Sequence, residues 1–121
     1  MQYALLCYET RDDFAAREDP SRSGAYWDGW MAYGSALRQA GVFVSGAGFL
    51  PPDTGTSVQV ANDKRTVHDG PYADSKEQLG GFYVIEVSDL DAALAWAAKC
   101  PSSSGGTTEV RPLLAPRRGS D

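Results

Sequence analysis

Residues 2–9 are apolar on both faces, and this constrains the fold more than any other feature. Side chains alternate along an extended chain, so Tyr3, Leu5 and Cys7 share one side and Ala4, Leu6 and Tyr8 the other. A strand with two apolar faces belongs in the middle of a sheet that is covered twice.

The remaining punctuation supplies the cover. Residues 10–23 are polar, contain Pro20 and read as a loop with room for a short helical turn. Residues 24–40 read as a helix. Tyr26, Trp30, Tyr33 and Leu37 form one stripe, Trp27, Met31 and Gly34 extend it sideways, and Gly41 stands in the usual C-terminal glycine position. Val42-Phe43-Val44 opens a second extended segment, which Pro51-Pro52 stops. Residues 56–61 and 65–69 read as a hairpin turning at Asn62-Asp63-Lys64. After the Gly70-Pro71 turn, Asp74 and Glu77 predict a helical turn at 75–78, broken by Gly80-Gly81. Residues 82–87 are a strong strand. Ser88, with Asp91, predicts the cap of a second helix whose buried stripe is Leu90, Ala93, Leu94 and Ala97 and which Pro101 ends. Residues 107–114 read as the last strand.

Strand, helix, strand, hairpin, strand, helix, strand gives an α+β fold, with a mostly antiparallel sheet and two helices on one face, on a ferredoxin-like split βαβ plan. One domain over 1–114 is expected, with a flexible tail over 115–121. The sheet face without helices would stay open, and a second copy of the chain is expected to cover it, making a homodimer.

Composition excludes several functions. The chain has 121 residues, enough for one core, and a formal net charge of −5, which disfavours nucleic acid as a partner. Arg117-Arg118 sits in a Pro/Gly/Ser tail and reads as a solvated end. The start has no basic n-region, and Glu9 and Arg11 soon interrupt its apolar run. No signal peptide and no membrane span are expected, and a cytoplasmic location is. Cys7 and Cys100 read as free thiols in a reducing compartment. One His and two distant Cys make no ligand cluster, so neither a metal nor another cofactor is expected.

The run from Asp69-Gly70-Pro71-Tyr72 through Leu79-Gly80-Gly81-Phe82-Tyr83 resembles the signature of the DGPF branch of YCII-related proteins. So do the stretch from Gly46 to Pro52 and Glu109-Val110-Arg111-Pro112, and the resemblance runs from Tyr3 to about Leu114. It implies a dimeric α+β barrel built from ferredoxin-like units. For activity it implies less. Some YCII-related proteins are thought to use a His–Asp pair, one related branch dehydrochlorinates a chlorinated aromatic ring, and others accompany sigma factors or biosynthetic clusters. The implied Asp is Asp69, but the helix position of the implied His falls near Trp30, and the one histidine is His68. Fold does not fix function.

The candidate site residues each carry two readings. Asp69 can close its turn by accepting backbone N–H groups, or act as a general base. If Val67 faces the core, Asp69 points the same way and His68 the other. His68 can act as an acid or base, or be an ordinary sheet-edge residue. Tyr72 can be packed or orient a ligand through its hydroxyl. Tyr26, Trp30 and Tyr33 are core, or the wall of a pocket for a planar apolar molecule. Lys76 serves solvation, or ligand charge at the N-terminus of the helical turn. Arg111 reads as an ion-pair partner. The leading expectation is a homodimer that binds a small, aromatic molecule in a cleft near the Asp69–Tyr72 motif. The alternative is a cofactor-free lyase or isomerase acting on an aromatic or polyketide-like substrate, with Asp69 as base and Tyr72, His68 or Tyr33 as proton partner.

Overall fold

Residues 1–115 are described by the structure, a computed structural model; residues 116–121, which hold most of the tail read from the sequence, lie outside them. The elements are β1 (Gln2–Thr10), α1 (Arg11–Ala16), α2 (Ser23–Gln39), β2 (Phe43–Gly48), β3 (Thr56–Ala61), β4 (Lys64–Asp69), β5 (Glu77–Glu86), α3 (Leu90–Ala98) and β6 (Thr107–Pro112). Short 3-10 turns occupy Pro52–Thr54 and Pro101–Ser103.

The main sheet has the order β2-β5-β1-β6, and every pairing in it is antiparallel. With the hairpin set aside, this is the ferredoxin-like order, and β1 is central as its two apolar faces require. Tyr3, Leu5 and Cys7 of β1 and Ile85 of β5 meet Tyr33 and Leu37 of α2 and Ala93 and Ala97 of α3 in one core cluster. Both longer helices therefore cover the same face. On the other face Ala4 pairs with Val84 and Leu6 with Phe82. Leu6, Phe82, Val84 and Tyr8 stay partly exposed there. No helix among the described residues is long and apolar enough to cross a membrane.

Local chemistry explains the element ends. Thr10 and Asp13 form a reciprocal capping box, which turns part of the expected loop into α1. Gly41 follows α2 with φ of 73°, left-handed geometry that favours glycine. Asn62 and Asp63 both take positive φ, the twist that lets a two-residue turn join β3 and β4.

Several sequence expectations are corrected. No helical turn forms at 75–78. Glu77 and Gln78 instead pair with Thr10 and Glu9, so β5 starts early and runs through Gly80-Gly81, with a bulge opposite Cys7 and Tyr8. Ladder bonds to a central strand outweigh a single isolated turn of helix. The α3 cap is Asp89, whose side chain accepts from the Ala92 N–H, and not Ser88. Met31 leaves the α2 stripe and is 72% exposed, and Leu90 and Leu94 are nearly half-exposed while Ala93 and Ala97 are buried. The face that α3 turns to the core runs through Ala93 and Ala97, which leaves Leu90 and Leu94 outside it.

Candidate functional site

A cavity of about 220 Å³ lies between α2 and the sheet, on the helix-covered face. Its aromatic walls include Tyr26, Trp27 and Trp30 from α2, Phe43 from β2, and Tyr83 from β5. Trp30 lies nearly parallel to Tyr83, with ring centroids 6.3 Å apart. Glycines line the sheet side. At Gly46 a side chain would meet the Tyr83 ring at 2.8 Å. Arg38 also lines the cavity and sits over the Phe43 ring at 4.2 Å.

At one side of the cavity stands Glu9, a carboxylate only 2% exposed. Strand alternation puts it on the side of Tyr3, Leu5 and Cys7, so β1 carries its charge into the core face. It survives there because it is fully partnered. The Tyr26 hydroxyl donates to Glu9 Oε1. Arg17 Nη2 donates to Glu9 Oε2 at 3.0 Å, forming an ion pair with both side chains largely buried. Arg17 Nε donates to the Tyr26 hydroxyl at 2.9 Å, and further bonds reach the Gly80 and Phe49 carbonyls. The guanidinium also sits against the rings of Phe14, Tyr26 and Trp27. Burial first, then the hydrogen bond to Glu9, pushes the Tyr26 phenol up to about 12, while Arg17 opposes the shift. Burial likewise raises Tyr33 and Tyr83.

Of the residues singled out from sequence, Tyr26 and Trp30 line this cavity. Tyr33 does not. It is buried, and its hydroxyl donates to the Trp96 carbonyl at 2.7 Å. Asp69 and His68 lie on β4, where every residue is exposed, and neither lines the cavity. Val67 is 54% exposed, so the hairpin has no core face within this chain. The Asp69 corner is closed by backbone, with the Gly70 N–H donating to Gly55 at 2.7 Å. Tyr72 borders a separate groove with Phe49, Leu50 and Leu79. Lys76 borders another with Asp74 and with Arg11 at the start of α1, and the helical turn it was expected to serve does not form. Arg111 pairs with Glu109 at 2.9 Å, as expected.

Glu9 and Arg17 were missed from sequence. A signal for Glu9 existed: it is the one charged residue in register with an otherwise apolar strand face. Nothing local marked Arg17.

The comparisons with known proteins decide the family. The YCII-related domain matches residues 1–115. The chain belongs to the YCII-related family. An uncharacterised protein of Rhizobium meliloti (strain 1021) is 33% identical over 115 residues, covering 93% of this YCII-related chain and 92% of that one. In fold the chain is similar to 5-chloro-2-hydroxyhydroquinone dehydrochlorinase from Burkholderia phenoliruptrix AC1100, solved in complex with 2,5-dihydroxybenzoquinone. That likeness has a TM-score of 0.57 over the whole of both chains at 16% identity, and it is a likeness of fold.

Proposed function

We propose that this YCII-related protein binds a small planar molecule, a single substituted aromatic or quinonoid ring, in the cavity between α2 and the sheet. The observation that carries this reading is the buried Glu9 carboxylate, held by Tyr26 and Arg17 at the side of an aromatic-walled cavity. Size supports one ring: benzene occupies an apolar cavity of roughly 150 Å³, and this one measures about 220 Å³. The Glu9–Arg17 pair is neutral as a unit, so Arg38 leaves a positive balance that favours a ring bearing an acidic or hydroxyl group. That the dehydrochlorinase of this fold was solved with a dihydroxybenzoquinone supports the same ligand class.

The working form is a homodimer. The partly exposed sheet face around Leu6, Phe82 and Val84, and the exposed Val58, Val60 and Val67 of the hairpin, are apolar surface that a second copy would cover. Solution mass tests this separately, and a monomer at micromolar concentration refutes it.

A second reading rests on one contact. Tyr26 donates to Glu9, which makes a phenol–carboxylate pair able to pass a proton to and from a bound ring. That is the chemistry of a cofactor-free lyase or isomerase, with Glu9 in the role the sequence suggested for Asp69. A thermal-shift screen of hydroxylated benzoates, phenols and quinones tests the ligand class. A ligand at 100 times its dissociation constant stabilises by about 2.7 kcal/mol. Stabilisation of wild type that is lost in Trp30→Ala supports the reading. A screen in which no such ring stabilises the protein, or in which Trp30→Ala responds as wild type does, refutes it.

A further inference from the structure

Cys7 and Cys100 are 93 positions apart in the chain, yet their sulfurs stand 3.8 Å apart in the core. Cys7 comes from the middle of β1, and Cys100 follows the end of α3. Both are free thiols and almost wholly buried. The Ser102 hydroxyl lies 3.2 Å from the Cys100 sulfur and is itself 2.6 Å from the Thr108 hydroxyl. Their positions differ in one respect: Cys7 lines the cavity between α2 and the sheet, and Cys100 does not. A molecule scarcely larger than water that enters the cavity meets Cys7 and reaches Cys100 only through it.

We propose that Cys7 and Cys100 are a dithiol that closes to a disulfide when a hydroperoxide reaches Cys7 through the cavity. In the first step the Cys7 sulfur attacks one oxygen of hydrogen peroxide. The S–O bond forms, the O–O bond breaks, and the departing hydroxide takes the Cys7 proton and leaves as water. In the second step the Cys100 sulfur attacks the sulfur of the resulting sulfenic acid. The S–S bond forms, the S–O bond breaks, and the hydroxyl takes the Cys100 proton and leaves as a second water. The two sulfurs lose one electron each, and the peroxide gains both.

The surroundings divide the two roles. Hydrogen bonds from Cys7 and Ser102 draw the Cys100 thiol below its ordinary range, which suits it to the second step. The same contact and burial push the Cys7 thiol up, so the first step is slow and needs excess peroxide. A closed bridge would tie the central strand to the end of α3 around a long loop.

The test is oxidation of the native full chain with excess hydrogen peroxide, followed by intact mass and a non-reducing peptide map. The expected result is a loss of about 2 Da, a peptide linking Cys7 to Cys100, reversal by a small dithiol, and a Tm raised by on the order of 5–10 °C. In Cys100→Ser the linkage is lost, and a 1,3-dione traps the sulfenic acid at Cys7. An unchanged mass, a gain of about 16 or 32 Da without linkage, or disulfide-joined dimers would overturn the proposal. Should Cys100→Ser fail to fold, the peptide map of the wild-type chain decides alone.

Discussion

Gly80 leaves no room for a side chain beside Glu9: a methyl group there would lie 1.9 Å from Glu9 Oε2. A carboxylate oxygen on a free side chain could swing aside, but this one is held by Arg17 and Tyr26. Gly80→Ala must therefore break the cluster or move the β5 bulge. The expected cost is about 1–3 kcal/mol, in the range of overpacked interiors, read from urea unfolding. A stability within about 0.5 kcal/mol of wild type, as for ordinary surface changes, would show that Glu9 is not pinned.

The Glu9–Arg17 pair supplies a second expectation. Both side chains are largely buried, so removing Arg17 strands a carboxylate in the core. Arg17→Ala should cost about 3 kcal/mol or more. Arg17→Ala combined with Glu9→Gln should cost less than the sum of the two single changes, by about 0.5–3 kcal/mol. Additive losses in that double-mutant cycle would mean that the two groups do not act as a pair.

Alkaline unfolding should single out Tyr26. Folded Tyr26 holds its proton up to about 12, against an ordinary value of 10.0. The folded state therefore binds the proton more tightly, and the stability this adds is complete below about pH 10. As pH rises from there toward about 12, the unfolded chain loses its proton first and stability falls. Tyr33 and Tyr83 shift the same way, so the diagnostic quantity is the difference from Tyr26→Phe. That variant should lose stability less steeply with pH across this window, measured as the urea midpoint. Equal slopes in the two proteins would remove Tyr26 from the cluster's electrostatics.

How far the fold was legible depended on whether its cause was local. The two-faced apolar run at Tyr3–Tyr8 set β1 in the centre, and Gly41, Asn62 and Asp63 marked turns by backbone geometry that their residue types favour. The 75–78 turn failed because Asp74 and Glu77 look like a cap only until β1 is present to pair with β5. The α3 stripe failed at Leu90 and Leu94 because periodicity gives a broad apolar stripe and not which part of it turns to the core. Of the site, Tyr26 and Trp30 were readable as an aromatic face. The Glu9–Arg17 pairing was not, since the seven residues of intervening chain, including all of α1, fold before one meets the other. Asp69 drew attention as part of a motif, and its corner is closed by backbone groups that any residue carries.

Trp30 couples fold and site. Its ring faces Tyr83 and walls the cavity. Trp30→Ala should cost about 1–3 kcal/mol, less than a fully buried aromatic because Trp30 is only partly enclosed. Trp30→Phe should recover most of that loss. A Trp30→Phe variant no more stable than Trp30→Ala would show that the ring contact adds nothing.

The central claim is the place of binding, and side-chain and amide NMR of the protein titrated with a stabilising hydroxylated benzoate or quinone tests it most directly. The account expects the indole N–H signals of Trp27 and Trp30 and the amides of Gly46 and Gly81 to move together, in wild type and in Asp69→Asn alike. Shifts confined to the His68–Tyr72 segment, or abolished by Asp69→Asn, would contradict it.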